Sequence, residues 1–423
     1  MQGRPSLTFA PFFAGLMMLW PVAAYTGAQG FTIIIGWAAF PAWYFARPRS
    51  LPLYALAFAA FIIWAIASSA WSPATGPIYE GSLVSGNFSV NAVVLRIGLT
   101  AFAIASVLMA AAQLPQRPFP RSVRTLYTIP AVQGAGVLIT ALAMGFILNL
   151  LAPISDPVLE MPQNLLRNVN AYVILLPLLL AWLWTRPSRY LQASALIILG
   201  VSFFAAHKTG SQSSMVALVL IALSALAANI FRRNCVRISL YAIGLYTLLA
   251  PFAMMGLANL VRASGLEVPL SFWSRMYSWQ RVTEEAMAKP FTGSGIEASE
   301  TWREFYQDRP DLLAGIVADT GKTGLWDQYP IIPGHPHSMA LQIWAETGLI
   351  GAGLVGLSLI LLARRLGSAD TWQPVVRFAS MGLVAATLTF YAVSYSVWNE
   401  AFWCSIALSA AAILVISRHQ SAP

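Results

Sequence analysis

Charge is what this sequence has least of. Of its 423 residues only 10% are Asp, Glu, Lys or Arg, while 58% are hydrophobic. A soluble domain carries about a quarter charged residues, so a soluble globular fold is excluded. Cysteine is nearly absent: Cys235 lies in a basic linker and Cys404 inside a late apolar run. That excludes a disulfide framework and a C-x-x-C metal pattern. The acids, Asp308 and Asp311 among them, form no compact carboxylate cluster. No metal site and no cofactor are expected.

What is present is apolar length. Mean hydropathy is +0.66, and runs long enough to cross a bilayer as helices recur from end to end. Twelve segments emerge, near 7–25, 30–46, 51–71, 91–113, 126–153, 171–185, 190–206, 213–230, 238–260, 339–363, 378–397 and 400–417. The first follows Arg4 without a clear small-residue cleavage site, and more spans follow at once, so it is expected to be retained. The expected fold is all-α: a polytopic membrane bundle of about twelve helices.

The net charge of +9 sits in short linkers rather than on one soluble face, which argues against a nucleic-acid partner. Arg47 and Arg49 follow the second span; Arg117, Arg121 and Arg124 the fourth; Arg186 and Arg189 the sixth. Arg232, Arg233 and Arg237 follow the eighth, Arg364, Arg365 and Arg377 the tenth, and Arg418 the twelfth. With Arg4, every even-numbered exit is basic. The positive-inside rule makes that side cytoplasmic, with both termini there.

The chain therefore divides into nine spans over 1–260, a long outer segment over 261–338, and three spans over 339–423. A connection of that length is usually functional. "SFWSRMYSWQRVTEEAMAKP" predicts a helix with Phe272, Met276, Trp279 and Thr283 near one face, stopped by Pro290. "EASETWREFYQD" predicts a second, short one.

Ionisable groups at membrane depth need a cavity or a partner. Ser338, Gln342 and Glu346 form one stripe at the mouth of the tenth span, and His337 precedes them. His337 reads equally as an interfacial residue or as a general base, with His335 a weaker candidate. Glu346 lies roughly 13 Å below His337 at the helical rise, too deep to reach a substrate at the surface, and is expected to orient a polar neighbour. Gly348, Gly351, Gly353 and Gly356 are expected to let another helix approach. Arg275 fits either a solvated helix face or a phosphate clamp. Arg167, Asn168 and Asn170 precede the sixth span, where asparagine commonly caps a helix. Lys208 follows the seventh span beside His207 and Gly210, and Arg96 lies just inside the fourth. Arg96, Arg167, Lys208 and Arg275 thus approach one membrane surface, which suits an anionic ligand such as a lipid-borne phosphate.

"HSMALQIWAETGLIGAG" resembles the signature of the O-antigen ligase and O-antigen polymerase superfamily: His337, Ser338, nine residues, Gly348, two residues, Gly351. "RMYSWQRVTEEAMAKPFTGSG" is similar to the family's loop segment, with Arg275, Trp279, Pro290, Gly293 and Gly295. "NVNAYVILLPLLL" is similar to its Asn-rich approach to a middle span. One departure stands out: Ser211, Gln212 and Ser213 occupy a turn where such proteins often carry Ser-Arg-Gly. The resemblance implies a GT-C-like bundle in a bacterial inner membrane with its active site facing the periplasm. It implies transfer of a glycan from an undecaprenyl diphosphate carrier to a hydroxyl, inverting and metal-independent. The acceptor would be lipid A–core in a ligase, and another carrier-linked repeat in an O-antigen or exopolysaccharide polymerase. His337 and Arg275 would be catalytic. Arg167, Arg96, Lys208, Asn168, Asn170, Ser338, Trp279 and Gln342 would bind substrate. Two readings of other classes remain at this point: a lipid-linked glycan flippase and a metal-dependent oligosaccharyltransferase.

Overall fold

A computed structural model of the chain describes residues 9–26, 29–45, 51–80, 89–117, 119–151, 161–307, 314–315, 317–319, 321 and 331–419. Arg4, Arg47, Arg49, Asp308 and Asp311 lie outside the described residues. The helices are α1 (Phe9–Met17), α2 (Trp20–Tyr25), α3 (Gly30–Phe45), α4 (Leu53–Ser68), α5 (Ala92–Ala112), α6 (Pro120–Leu142), α7 (Met144–Leu151) and α8 (Met161–Trp184). They continue as α9 (Arg189–Lys208), α10 (Gln212–Ile230), α11 (Cys235–Ser264), α12 (Leu270–Ala288), α13 (Ser299–Gln307), α14 (Met339–Arg365), α15 (Pro374–Val393) and α16 (Glu400–Ser417). A two-residue antiparallel ladder pairs Tyr79–Glu80 with Ser89–Val90.

The protein is a polytopic helical membrane protein. Ten helices among the described residues are long and apolar enough to cross a bilayer. They match ten of the twelve expected segments. The first expected segment is broken into α1 and α2, and the second, α3, is apolar but only 16 residues long. The fifth is broken at Ala143, where the φ/ψ pair leaves the helical region. Among the described residues, two pairs of basic segments meet. The Arg117 N–H bonds the Arg418 carbonyl (3.2 Å), the Ala369 N–H bonds the Arg233 carbonyl (2.9 Å), and Arg237 bonds the Ala363 carbonyl (3.2 Å).

α8 is the most enclosed span, with 78% of its apolar window buried inside the bundle. It begins earlier than expected, so Asn168 and Asn170 lie inside the helix and do not cap it. α14 packs against α11 and α4, and α15 against α10 and α8. Both predicted loop helices form, as α12 and α13. α12 buries Met276, Trp279 and Val282 against α11 and α14 and ends before Pro290.

Candidate active site

The site begins with a break in α14. Gly348 has φ 68° and ψ −169°, which only glycine adopts readily. The break strands backbone groups, and the loop answers them one by one. The N–H groups of Ser294 and Gly295 donate to the carbonyls of Ala345 (2.9 Å) and Glu346 (2.8 Å). Leu349 and Ile350 donate to the carbonyls of Pro290 (2.8 Å) and Phe291 (3.3 Å). The Trp64 indole N–H takes the Thr347 carbonyl at 2.8 Å. The approach is so close that a Cβ at Gly348 would overlap the Phe291 carbonyl, and one at Gly293 would overlap the Glu346 backbone.

The glycine expectation is therefore corrected in part. Gly348 accommodates a loop strand, and Gly351 accommodates its own neighbour Thr347. Gly356 brings a helix close, meeting Gly244 and Leu248 of α11, and Gly351 also faces Phe61 of α4.

Glu346 lies beneath this splice with no exposed surface. It accepts from the N–H groups of Glu297 (2.8 Å) and Ser299 (3.3 Å), from the Ser299 hydroxyl (2.6 Å), from Gln342 (3.0 Å) and from the Trp398 indole. As expected, it orients polar neighbours, and what it orients is the loop turn over 295–299. Gln342 in turn accepts from the Val397 N–H at 2.9 Å.

His337 lies above, at φ 52°. Its Nδ1 is 2.8 Å from the Ser394 carbonyl oxygen. A carbonyl only accepts, so Nδ1 carries the proton and Nε2 keeps its lone pair free. The His337 N–H donates to His335 Nδ1 (3.2 Å), and the two rings pack with centroids 4.5 Å apart. Burial first, and then the Arg275 guanidinium, push His337 down to about 4. Burial, His337 and Arg275 push His335 down to about 3. Both rings are neutral at physiological pH.

α12 supplies Arg275 and, one turn on, Trp279. Arg275 bonds the Ser271 carbonyl at 3.0 Å. Trp279 is fully buried and donates to the Pro336 carbonyl at 2.9 Å, directly behind His337. That places it as a strut for the His337 backbone. Ser338 stands at the start of α14, but its hydroxyl pairs with Tyr246 (3.2 Å) and makes no cap bond.

The remaining expected residues divide. Arg167 lines a cavity of about 560 Å³ with Arg96, Tyr395, Asn399 and Glu400, walled by Phe31, Leu99 and Ile174. Arg96 is paired there with both Glu297 and Glu400, so its charge is already answered. Asn170 accepts from Ser211 (3.0 Å) and Ser214 (2.6 Å) and donates to the Tyr395 hydroxyl (2.9 Å). Asn168 accepts from Gln133 and is fully buried. Both asparagines thus brace helices. Lys208 is exposed, with its ammonium over the Phe204 ring. Gln212, at the departing turn, accepts from Ser271 at 3.0 Å, one turn before Arg275.

The turn over 394–399 was not expected, because its first four residues fell inside the eleventh expected span, 378–397. Ser394 holds His337, Tyr395 joins Asn170 to the large cavity, Val397 meets Gln342, and Trp398 meets Glu346. The polar cluster in "SYSVWNE" was the available signal.

No curated protein and no solved structure matches the chain. Residues 195–356 do match a family model, described as O-antigen ligase. That stretch supplies Arg275, Trp279, His337, Glu346 and both sides of the Gly348 splice. The match makes that stretch similar to an O-antigen ligase domain and supports, in general terms, glycan transfer of that type by this membrane protein.

Proposed function

We propose that the protein transfers a glycan from a polyprenyl diphosphate carrier to a sugar hydroxyl of lipid A–core, by inversion and without a metal. The membrane is the bacterial inner membrane. Both termini lie in the cytoplasm, and the His337 end faces the periplasm, as the charge of the linkers argues. The observation that carries this reading is the fixed tautomer of His337: Nδ1 tied to Ser394, Nε2 free, and the ring held neutral by burial first and by Arg275 second.

In this reading Nε2 removes the proton of the acceptor hydroxyl as its oxygen attacks the anomeric carbon. The carbon–oxygen bond to the carrier breaks, and the diphosphate leaves with that electron pair. Arg275 and Arg167 stabilise its charge in a site largely screened from water. Arg96, already paired with two carboxylates, plays no part in binding the diphosphate. A base near 4 is weak, but part of its weakness has a cause the donor removes. Burial is the larger cause of that depression and Arg275 the smaller; a bound diphosphate offsets the Arg275 charge and so lifts only that second part.

The test is transfer by purified protein in lipid nanodiscs, from undecaprenyl diphosphate–linked glycan to lipid A–core, read by mass spectrometry. His337→Ala is expected to lose about 10²–10⁴-fold in rate, the ordinary worth of a general base, with donor binding retained. A rate within fivefold of wild type removes His337 from the role. Carrier-linked dimers in place of core-linked product turn the assignment to polymerase.

A further inference from the structure

A second cavity, of about 310 Å³, opens among the loop and the span mouths. Arg96 lines the first cavity and Glu297 the second, so their ion pair stands between the two. The two differ in kind. The first has the apolar wall of Phe31, Leu99 and Ile174 that a polyprenyl chain needs. Among the described residues, the second offers Glu297, Glu300, Arg303, His335, Ser396 and Trp398, and no aliphatic side chain besides Pro333. No lipid tail is accommodated by such a lining; a hydroxyl-bearing ligand is.

Given the proposed transfer reaction, we infer that this second cavity is a carbohydrate subsite taking a neutral or amino sugar of the acceptor. Position argues for the acceptor. His335 is in the wall, and its ring packs 4.5 Å from that of His337. A sugar in the cavity therefore stands one imidazole away from the base. Charge argues for the sugar class. Glu297 and Glu300 line the cavity with Arg303, and Arg96 is already shared between Glu297 and Glu400, so carboxylates outnumber cations around it. Burial is the main force that pushes Glu297 up to about 7, opposed by Arg96 and aided less by Glu300 and Glu346. A uronate or a phosphorylated sugar meets repulsion there. Hydroxyls and ammonium groups meet acceptors. Rigidity argues for a built site, because Glu346 fixes the backbone of Glu297 and Ser299 before any ligand arrives.

The experiment is saturation-transfer NMR on the full chain in nanodiscs, which reads binding without turnover. The probes are maltotriose as neutral sugar, a glucosamine trimer as amino sugar and trigalacturonate as anionic sugar. Maltotriose or the glucosamine trimer is expected to bind at least tenfold more tightly than trigalacturonate. Glu300→Ala and Arg303→Ala are each expected to weaken that binding at least fivefold. Thr100→Trp, which fills the first cavity, is expected to leave it within twofold. Failure of both neutral and amino trimers to bind the wild type overturns the inference, as does tighter binding of trigalacturonate or an equal loss in Thr100→Trp. Because no turnover is needed, absence of transfer in the His337 assay leaves this result standing, and the converse also holds.

Discussion

Gly348→Ala is the most direct challenge to the spliced helix. Alanine at φ 68°, ψ −169° costs about 1–3 kcal/mol in backbone strain. Its Cβ also overlaps the Phe291 carbonyl, and forcing an extra methyl into packed structure costs about another 1–3 kcal/mol. The docked loop thus loses on the order of 4 kcal/mol relative to an undocked one, in which α14 runs straight through and alanine is comfortable. At about 1.4 kcal/mol per decade, local opening rises roughly 10³-fold. Hydrogen exchange read by mass spectrometry in nanodiscs checks this at the amides of Ser294, Gly295, Leu349 and Ile350. Those four are expected to exchange about 10³ times faster, while amides within α8 hold their protection. Gly353→Ala is the control: a Cβ there meets nothing within 4 Å, and the change is expected to stabilise the helix by about 0.5–1 kcal/mol. Exchange at the four amides within threefold of wild type would refute the splice as the element that holds the loop.

Four other outcomes follow from the same geometry. His337 titrates near 4 in the folded protein against an ordinary 6.5, so the base form persists as pH falls from 8 to about 5. The unfolded chain takes up the proton first, so stability falls between pH 6.5 and 4 and loses nothing more from this group below that; an NMR ring midpoint above 6 in the donor-free protein contradicts it. Arg275→Lys keeps the charge and loses the planar fork, so transfer is expected to fall at least tenfold while the His337 midpoint stays low. Arg275→Gln is expected to raise that midpoint, and an unmoved midpoint would refute the proximity of the two groups. Trp279→Phe leaves the buried Pro336 carbonyl unanswered; a loss of about 1–3 kcal/mol in unfolding free energy and a fall in kcat without a rise in donor KM are expected.

The spans were legible because the solvent dictates them: a bilayer requires long apolar helices, and apolar length survives in the residue order. His337, Arg275 and the loop helices were legible for a related reason, since polar groups beside such spans need a purpose. The Gly348 break was not. Its partner strand lies more than fifty residues earlier, and a glycine among apolar residues looks the same whether it admits a helix or a loop. Asn168, Asn170 and Arg96 were expected to bind substrate, but sequence position does not show that their hydrogen-bonding or ionic capacity is already taken by Gln133, Ser214 or Glu400. The turn over 394–399 was lost because Tyr395, Val397 and Trp398 are hydrophobic on any scale, while what they contribute is backbone groups and an indole N–H.

A span completed by a loop has no freedom of length. Add one residue between Pro290 and Gly295, or between Ala345 and Ile350, and the alternating donors and acceptors of the splice fall out of step, so neither hexapeptide tolerates insertion or deletion. Beyond Ser299 the next fixed points are those beside the base, where the Ser299 hydroxyl donates to the Gly334 carbonyl at 3.0 Å and the Trp279 indole to the Pro336 carbonyl at 2.9 Å. A change of length is therefore tolerated only between such fixed points, where loop closure grows costly slowly with added residues, and never across those that set the register of the base.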